Sequence, residues 1–112
     1  MAYDVALAER IARLLDRQRQ AKQQQMFGGV CFLVRGNMCC GVIGNKLMVR
    51  VGPARYESAL RTRHAKPMDF TGRPLRGFMY VMPQGLRGHK ALKAWVNLGV
   101  RYAESLPAKR KR

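Results

Sequence analysis

Acidic residues are scarce in this chain: six Asp and Glu stand against 22 Lys and Arg in 112 residues, a formal net charge of +16 at pH 7. The acids are Asp4, Glu9, Asp16, Glu57, Asp69 and Glu104, and the stretch from Arg17 to Tyr56 holds none. Paired carboxylates for general acid–base catalysis would have to be drawn from these scattered positions. Cysteine is also sparse. The three thiols, Cys31, Cys39 and Cys40, are an odd number in a chain without a secretory pattern, which suits a reducing compartment rather than a disulfide framework. Neither the adjacent pair nor His64 and His89 supplies the spacing that brings two ligands onto one zinc ion.

Long apolar runs are missing too. None approaches the roughly 20 residues a membrane-spanning helix needs, and MAYDVALAER at the N-terminus is acid-containing and amphipathic rather than basic-then-apolar. No glycine-rich loop leads into a Lys-Ser or Lys-Thr to cradle a phosphate. Nucleophilic catalysis has little to work with, since Ser58 and Ser105 fall on expected helices, the thiols on expected strands, and His64 and His89 near turns. The expectation is a cytoplasmic, non-enzymatic protein with no cofactor, no metal and no membrane partner.

What is present is a core. An apolar content of 47% excludes a chain disordered throughout, and a domain of this size buries roughly two thirds of its unfolded surface. One domain is expected over residues 1–106, followed by a basic tail over 107–112. Asp4 is placed to cap a helix running to about Arg17, with Val5, Ala8, Ile11, Ala12 and Leu15 on one side. The Gln-rich segment Gln18 to Gln25 either prolongs that helix or frays into a connector.

From Met26 to Gly52 the pattern changes to strands. A short strand near Gln25 to Phe27, a Gly28-Gly29 break, and runs Val30 to Arg35, Met38 to Ile43 and Lys46 to Val51 predict an antiparallel meander. Its turns fall at Gly36-Asn37 and Gly44-Asn45, residues that tolerate positive φ. On the last strand Leu47, Val49 and Val51 share one face and Lys46, Met48 and Arg50 the other. With Gly36-Asn37 as the turn, Leu33 faces Cys40, and strict alternation sends Cys39 and Cys40 to opposite sides of the sheet. The thiols then read as small packing residues.

Gly52-Pro53 ends the meander and starts a short helix, Pro53 to Leu60, that buries Tyr56, Ala59 and Leu60. Arg61 to Lys66 forms a basic exit. Two further strands follow, Met68 to Phe70 and Gly77 to Met82, around a Thr71-Gly72-Arg73-Pro74 turn. A final helix from about His89 to Leu106 aligns Leu92, Trp95, Val96, Gly99, Tyr102 and Ala103 on one stripe. Gly99 in mid-helix costs about 1 kcal/mol against Ala, which predicts close packing on a strand. The fold class is therefore α+β: a two-layer arrangement of five or six antiparallel strands, meander plus hairpin, with helices packed on the sheet.

Three blocks of this sequence resemble the N-terminal domain of the TfoX (Sxy) family of bacterial proteins. They are Met26-Phe27-Gly28-Gly29 with Gly36-Asn37-Met38, then Leu47-Met48-Val49-Arg50-Val51-Gly52-Pro53, then Pro67-Met68-Asp69-Phe70-Thr71-Gly72-Arg73-Pro74 leading into Gly77-Phe78-Met79-Tyr80-Val81, with Trp95 in the last helix. The resemblance implies an antiparallel sheet covered by helices, often a dimer, with no known catalytic activity. Longer family members carry a second, helical domain and act in transcription of natural-competence genes alongside the cyclic-AMP receptor protein. Ending just after the first domain, this chain resembles a short, stand-alone type.

With catalysis disfavoured, the basic surface is the candidate site, and a charge surplus of this size favours polyanions. Lys90, Lys93 and Arg101, with Asn97, fall on one side of the last helix, and Lys109, Arg110, Lys111 and Arg112 extend the charge along the tail. Arg73 and Arg76 form a second cluster with Lys46 and Arg50 if the outer sheet face is open. Such an array suits nonspecific contact with the phosphate backbone of DNA or RNA. Phe78 and Tyr80 share a strand face, as single-strand binders require, although that pattern also builds cores. The competing expectation is an adaptor that binds a transcription-regulatory protein, or a homodimer, with Cys39, Gly41 and Ile43 on one side of the second meander strand as its seam.

Overall fold

The first helix is fixed at its start. In the computed structural model, which describes residues 3–16, 21–26, 28–69 and 74–107, the Leu7 N–H donates to Asp4 Oδ1 at 3.1 Å and caps α1 (Val5–Asp16) as expected. The Asp4 N–H donates in turn to the Gly44 carbonyl at 2.8 Å, and Tyr3 bridges Gly44, so a strand turn holds the helix end. Leu7, Ala8, Ile11 and Leu15 are buried, while Val5, expected in the stripe, remains 37% exposed. The tether at Gly44 orients α1 so that Leu7 takes the place of Val5.

Next comes β1 (Ala21–Met26), where the Gln-rich stretch was expected to continue the helix or fray. It pairs over its whole length with β2 (Gly29–Val34), from Ala21↔Val34 to Met26↔Gly29. Gln is a good helix former, but propensity is a weak prior that tertiary context overrides, and the edge of β2 offers backbone groups that must be paired. β3 (Asn37–Ile43) and β4 (Lys46–Arg50) complete the meander.

The β3–β4 turn is Gly44-Asn45, as expected, with Ile43 opposite Lys46. The β2–β3 turn is not Gly36-Asn37 but Arg35-Gly36, both at positive φ (56° and 83°), with Val34 opposite Asn37. A bulge follows, because the pairing steps from Leu33↔Met38 to Phe32↔Cys40 and leaves Cys39 extra. Cys39 and Cys40 consequently both join the helix-side core, their Sγ atoms 3.8 Å apart. The alternation that was to separate them holds only where the ladder is regular.

Gly52, at φ 86°, precedes α2 (Pro53–Leu60), whose Pro53 occupies the first turn as expected. Tyr56 and Ala59 are buried. β5 (Ala65–Asp69) starts earlier than the expected Met68, absorbing part of the basic exit, and β6 (Pro74–Val81) starts before the expected Gly77. Phe70, the end of the expected strand, and Thr71 to Arg73 of the predicted turn lie outside the described residues. After a short 3-10 turn at Pro83–Gly85, α3 (His89–Ser105) ends the fold.

The six strands form one antiparallel sheet in the order β1-β2-β3-β4-β6-β5, so β6 inserts between β4 and β5. All three helices pack on one face. The core between the layers joins Ile11 and Leu15 of α1 and Leu92, Trp95, Val96 and Val100 of α3 to Val30, Phe32, Val42, Leu47 and Val49 of the sheet. Full burial of side chains such as Phe32 and Leu92 contributes about 1.5–3 kcal/mol each. Gly99 serves the close approach its position predicted, since a Cβ there would collide with the Cys39 carbonyl oxygen.

Candidate nucleic-acid interface

Among the described residues no helix covers the second face of the sheet, yet that face is not bare. Cys31, Met48 and Met68 are buried there beneath the half-buried Met38, Ile43, Phe78 and Tyr80. Strand register explains the grouping. Cys31 lies opposite Gly41, Gly41 opposite Met48, Met48 opposite Tyr80 and Tyr80 opposite Lys66, which forms one row across the sheet. Arg50 lies opposite Phe78 in the adjacent row. Gly41 is the thin point, where a Cβ would stand 3.0 Å from the Met48 terminal methyl and 2.6 Å from the Val30 carbonyl oxygen. Its missing side chain lets Met48 lie flat under the aromatic rings.

Cations sit against those rings. Lys46 Nζ is 4.8 Å from the centre of the Tyr80 ring, and Arg50 Cζ is 5.3 Å from that of Phe78. Arg50 is also 5.1 Å from the ring centre of Tyr102 on α3. Each such contact contributes about 0.5–1 kcal/mol at an exposed site. Their larger effect is positional, because they hold flexible charges over a flat apolar patch. Tyr102 in turn walls a cavity of about 390 Å³ between the start of α2 and the end of α3, where Arg55, Arg101 and Ser105 also line it. Arg50 therefore stands where the open sheet face meets this cavity.

Five of the six acids stand off the strands. Glu9 and Asp16 lie on α1 and Asp4 caps it, Glu57 is on α2 and Glu104 on α3, while Asp69 ends β5. The strands carry Lys22, Lys46, Arg50, Lys66 and Arg76, with Asp69 their only acid. Charge is thus unevenly divided between the layers.

The predicted cationic residues do not form one surface. Lys46 and Arg50 stand on the open face, and Arg76 is exposed on β6. Lys90, Lys93, Asn97 and Arg101 are exposed on α3, away from its buried stripe and in the other layer. Arg101 alone approaches the Arg50 end, through the cavity beside Tyr102. Arg73 and the tail residues Lys109, Arg110, Lys111 and Arg112 lie outside the described residues.

The expected seam divides as well. Gly41 and Ile43 stay with the open face, but the bulge sends Cys39 into the helix-side core, fully buried against Gly99. Sequence reasoning missed Lys66, Arg55 and Tyr102. Lys66 lies outside the expected strand, which began at Met68, and meets Tyr80 only through the pairing of β5 with β6, just as Arg55 and Tyr102 meet only through packing of two helices distant in sequence.

Thiol chemistry is suppressed rather than activated. Burial raises the Cys31 thiol above its ordinary range. Cys40 is raised well above it, first by the hydrogen bond with Cys39, then by burial and by the neighbouring thiols. Among the described residues no three His, Cys, Asp or Glu side chains group to hold a metal ion, and no helix is long and apolar enough to cross a membrane.

Comparison with curated proteins and with solved structures finds no match to the chain. A family model described as the TfoX N-terminal domain matches residues 13–103, from within α1 to near the end of α3. The chain belongs to the TfoX N-terminal domain family.

Proposed function

We propose that this chain is a cytoplasmic, non-enzymatic regulatory module that contacts nucleic acid through its cationic surface. Family membership supports the regulatory, competence-related part of that reading. The observation that carries the nucleic-acid part is the confinement of five of the six acids to the helices and the α1 cap, which leaves a sheet layer with five cations and one acid. Segregated charge of this kind creates a field that a solvated, evenly mixed surface lacks. The suppressed thiols and scattered carboxylates favour binding over catalysis.

Fluorescence anisotropy with labelled nucleic acid across a salt series tests the proposal. Neutralising six phosphates makes log affinity fall with log salt at a slope of about −5. Absence of binding in about 50 mM salt, where such contacts are strongest, rules the reading out. A second reading, a protein-binding or self-associating module, is favoured by the outer backbone edges of β1 and β5 at the ends of the sheet. Light scattering after size-exclusion chromatography tests self-association, and a strict monomer counts against that arm.

A further inference from the structure

We infer that the open sheet face is a platform for single-stranded nucleic acid, with Phe78 and Tyr80 as stacking rings and Lys46, Arg50 and Lys66 as phosphate contacts. The inference rests on the nucleic-acid reading above and specifies its site and strandedness.

Shape argues first. Six strands at about 4.8 Å spacing make a face about 24 Å broad, against a major groove of about 12 Å. Such a face does not enter duplex DNA, and duplex bases keep their π-faces stacked on each other. Phe78 and Tyr80 alternate on β6, which sets their side chains about 6.6 Å apart on the same face. Unstacked bases take the ring faces over which Lys46 and Arg50 stand, displacing these cations onto the flanking phosphates while Met48 and Met68 stay packed against the rings; a sheet holds successive bases in this way without reading sequence.

Charge then selects the occupant. Lys46 and Arg50 already lie within 5.3 Å of the two ring centres, and exposed Lys66 is opposite Tyr80. Phosphates beside a stacked base meet these cations directly. A second copy of the chain would bring the same cations face to face, which opposes self-docking. An acidic peptide would neutralise the cations but offer the rings no flat partner. Arg50, held between Phe78 and Tyr102, marks the exit from the face toward Arg55 and Arg101 at the cavity. The strand's next phosphates are placed there.

The test compares a labelled, unstructured single strand of about twelve nucleotides, within the usual site sizes of single-strand binders, with its duplex, as RNA and as DNA, at one fixed salt. The expected result is single-strand affinity at least tenfold above duplex. Phe78→Leu and Tyr80→Leu preserve the apolar cover of Met48 while removing each aromatic face, and each should weaken single-strand binding about tenfold while the lost cation–π contact lowers the thermal midpoint by only a few °C. Lys90→Gln with Lys93→Gln, on the other layer, should change it less than threefold, as loss of distant charge does. If the single strand and duplex bind equally and the leucine variants match the parent, the platform is overturned while the broader nucleic-acid reading stands. If no nucleic acid binds but polyglutamate does, both fall and an acidic protein becomes the partner. Equal RNA and DNA affinity supports backbone contact and base stacking as the shared chemistry, and an RNA preference above about tenfold would overturn it in favour of 2′-OH recognition.

Discussion

Gly99 of α3 rests directly on the backbone of Cys39 in β3: a Cβ added at Gly99 would stand 3.2 Å from the Cys39 Sγ and would collide with its carbonyl oxygen. The helix can approach β3 this closely because one partner has no side chain and the other is a bulge residue with a small one. The packing determines how the two layers meet, and with it which sheet face stays open.

Gly99→Ala should therefore destabilise the protein. At an open helix site the change would gain about 1 kcal/mol, but here backbone must move, and overpacking costs about 1–3 kcal/mol. Urea unfolding would show a lower midpoint. A midpoint equal to or above the parent's would mean that α3 has room over Cys39.

Asn37 is 2% exposed and its Nδ2 donates to the Pro107 carbonyl at 2.9 Å, which ties the end of α3 to the start of β3. Asn37→Ala leaves that carbonyl without its donor and should cost about 1–2 kcal/mol. Hydrogen exchange provides the local readout: amides in the last turn of α3 should exchange faster, and unchanged protection there would argue against the tie.

Arg35 holds φ 56° in the β2–β3 turn, a region costly for a long side chain, followed by Gly36 at 83°. Asn-Gly is the preferred pair for such a turn. Arg35→Asn should raise stability by about 0.5–1 kcal/mol, even though the long 3.5 Å contact from Arg35 Nη1 to the Glu104 carbonyl is lost. A thermal melt that falls instead would give that contact more weight than its length suggests.

Cys31 and Cys40 both titrate above the ordinary thiol range, so the folded protein holds their protons more tightly than the unfolded chain. Their contribution to stability is complete below the unfolded thiol value of about 8.5 and is lost as pH rises beyond it toward the folded values. Urea midpoints compared at neutral and alkaline pH should fall, and the fall should be smaller in Cys40→Ala. Native protein should react with a thiol reagent only as fast as it opens, and rapid stoichiometric labelling of the folded state would contradict the burial of the pair.

Much of this architecture was legible locally. The Asp4 cap, the Gly44-Asn45 turn, the Gly52-Pro53 junction and the Leu47-Val49-Val51 face each depend on residues a few positions apart, where φ preferences, missing N–H groups and side-chain period act directly. Candidate cations were legible as residue types, but not as a surface. Lys46 and Arg50 belong with Phe78 and Tyr80 because β6 enters the sheet beside β4, and α3 carries Lys90 and Lys93 to the other layer.

By itself the sequence determined an α+β chain with two glycine-bearing hairpin turns, an amphipathic last helix with one glycine meant for contact, and a surplus of cation. Tertiary structure alone decided that Ala21 to Gln25 of the Gln-rich segment form an edge strand, that Cys39 and Cys40 face the same way, and that no helix among the described residues covers the aromatic and basic face of the sheet. The reason is physical. Turns and caps are governed by the conformational limits of a few neighbouring residues, whereas register shifts, edge pairing and the choice of covered face depend on free energies summed over strands and helices far apart in the chain.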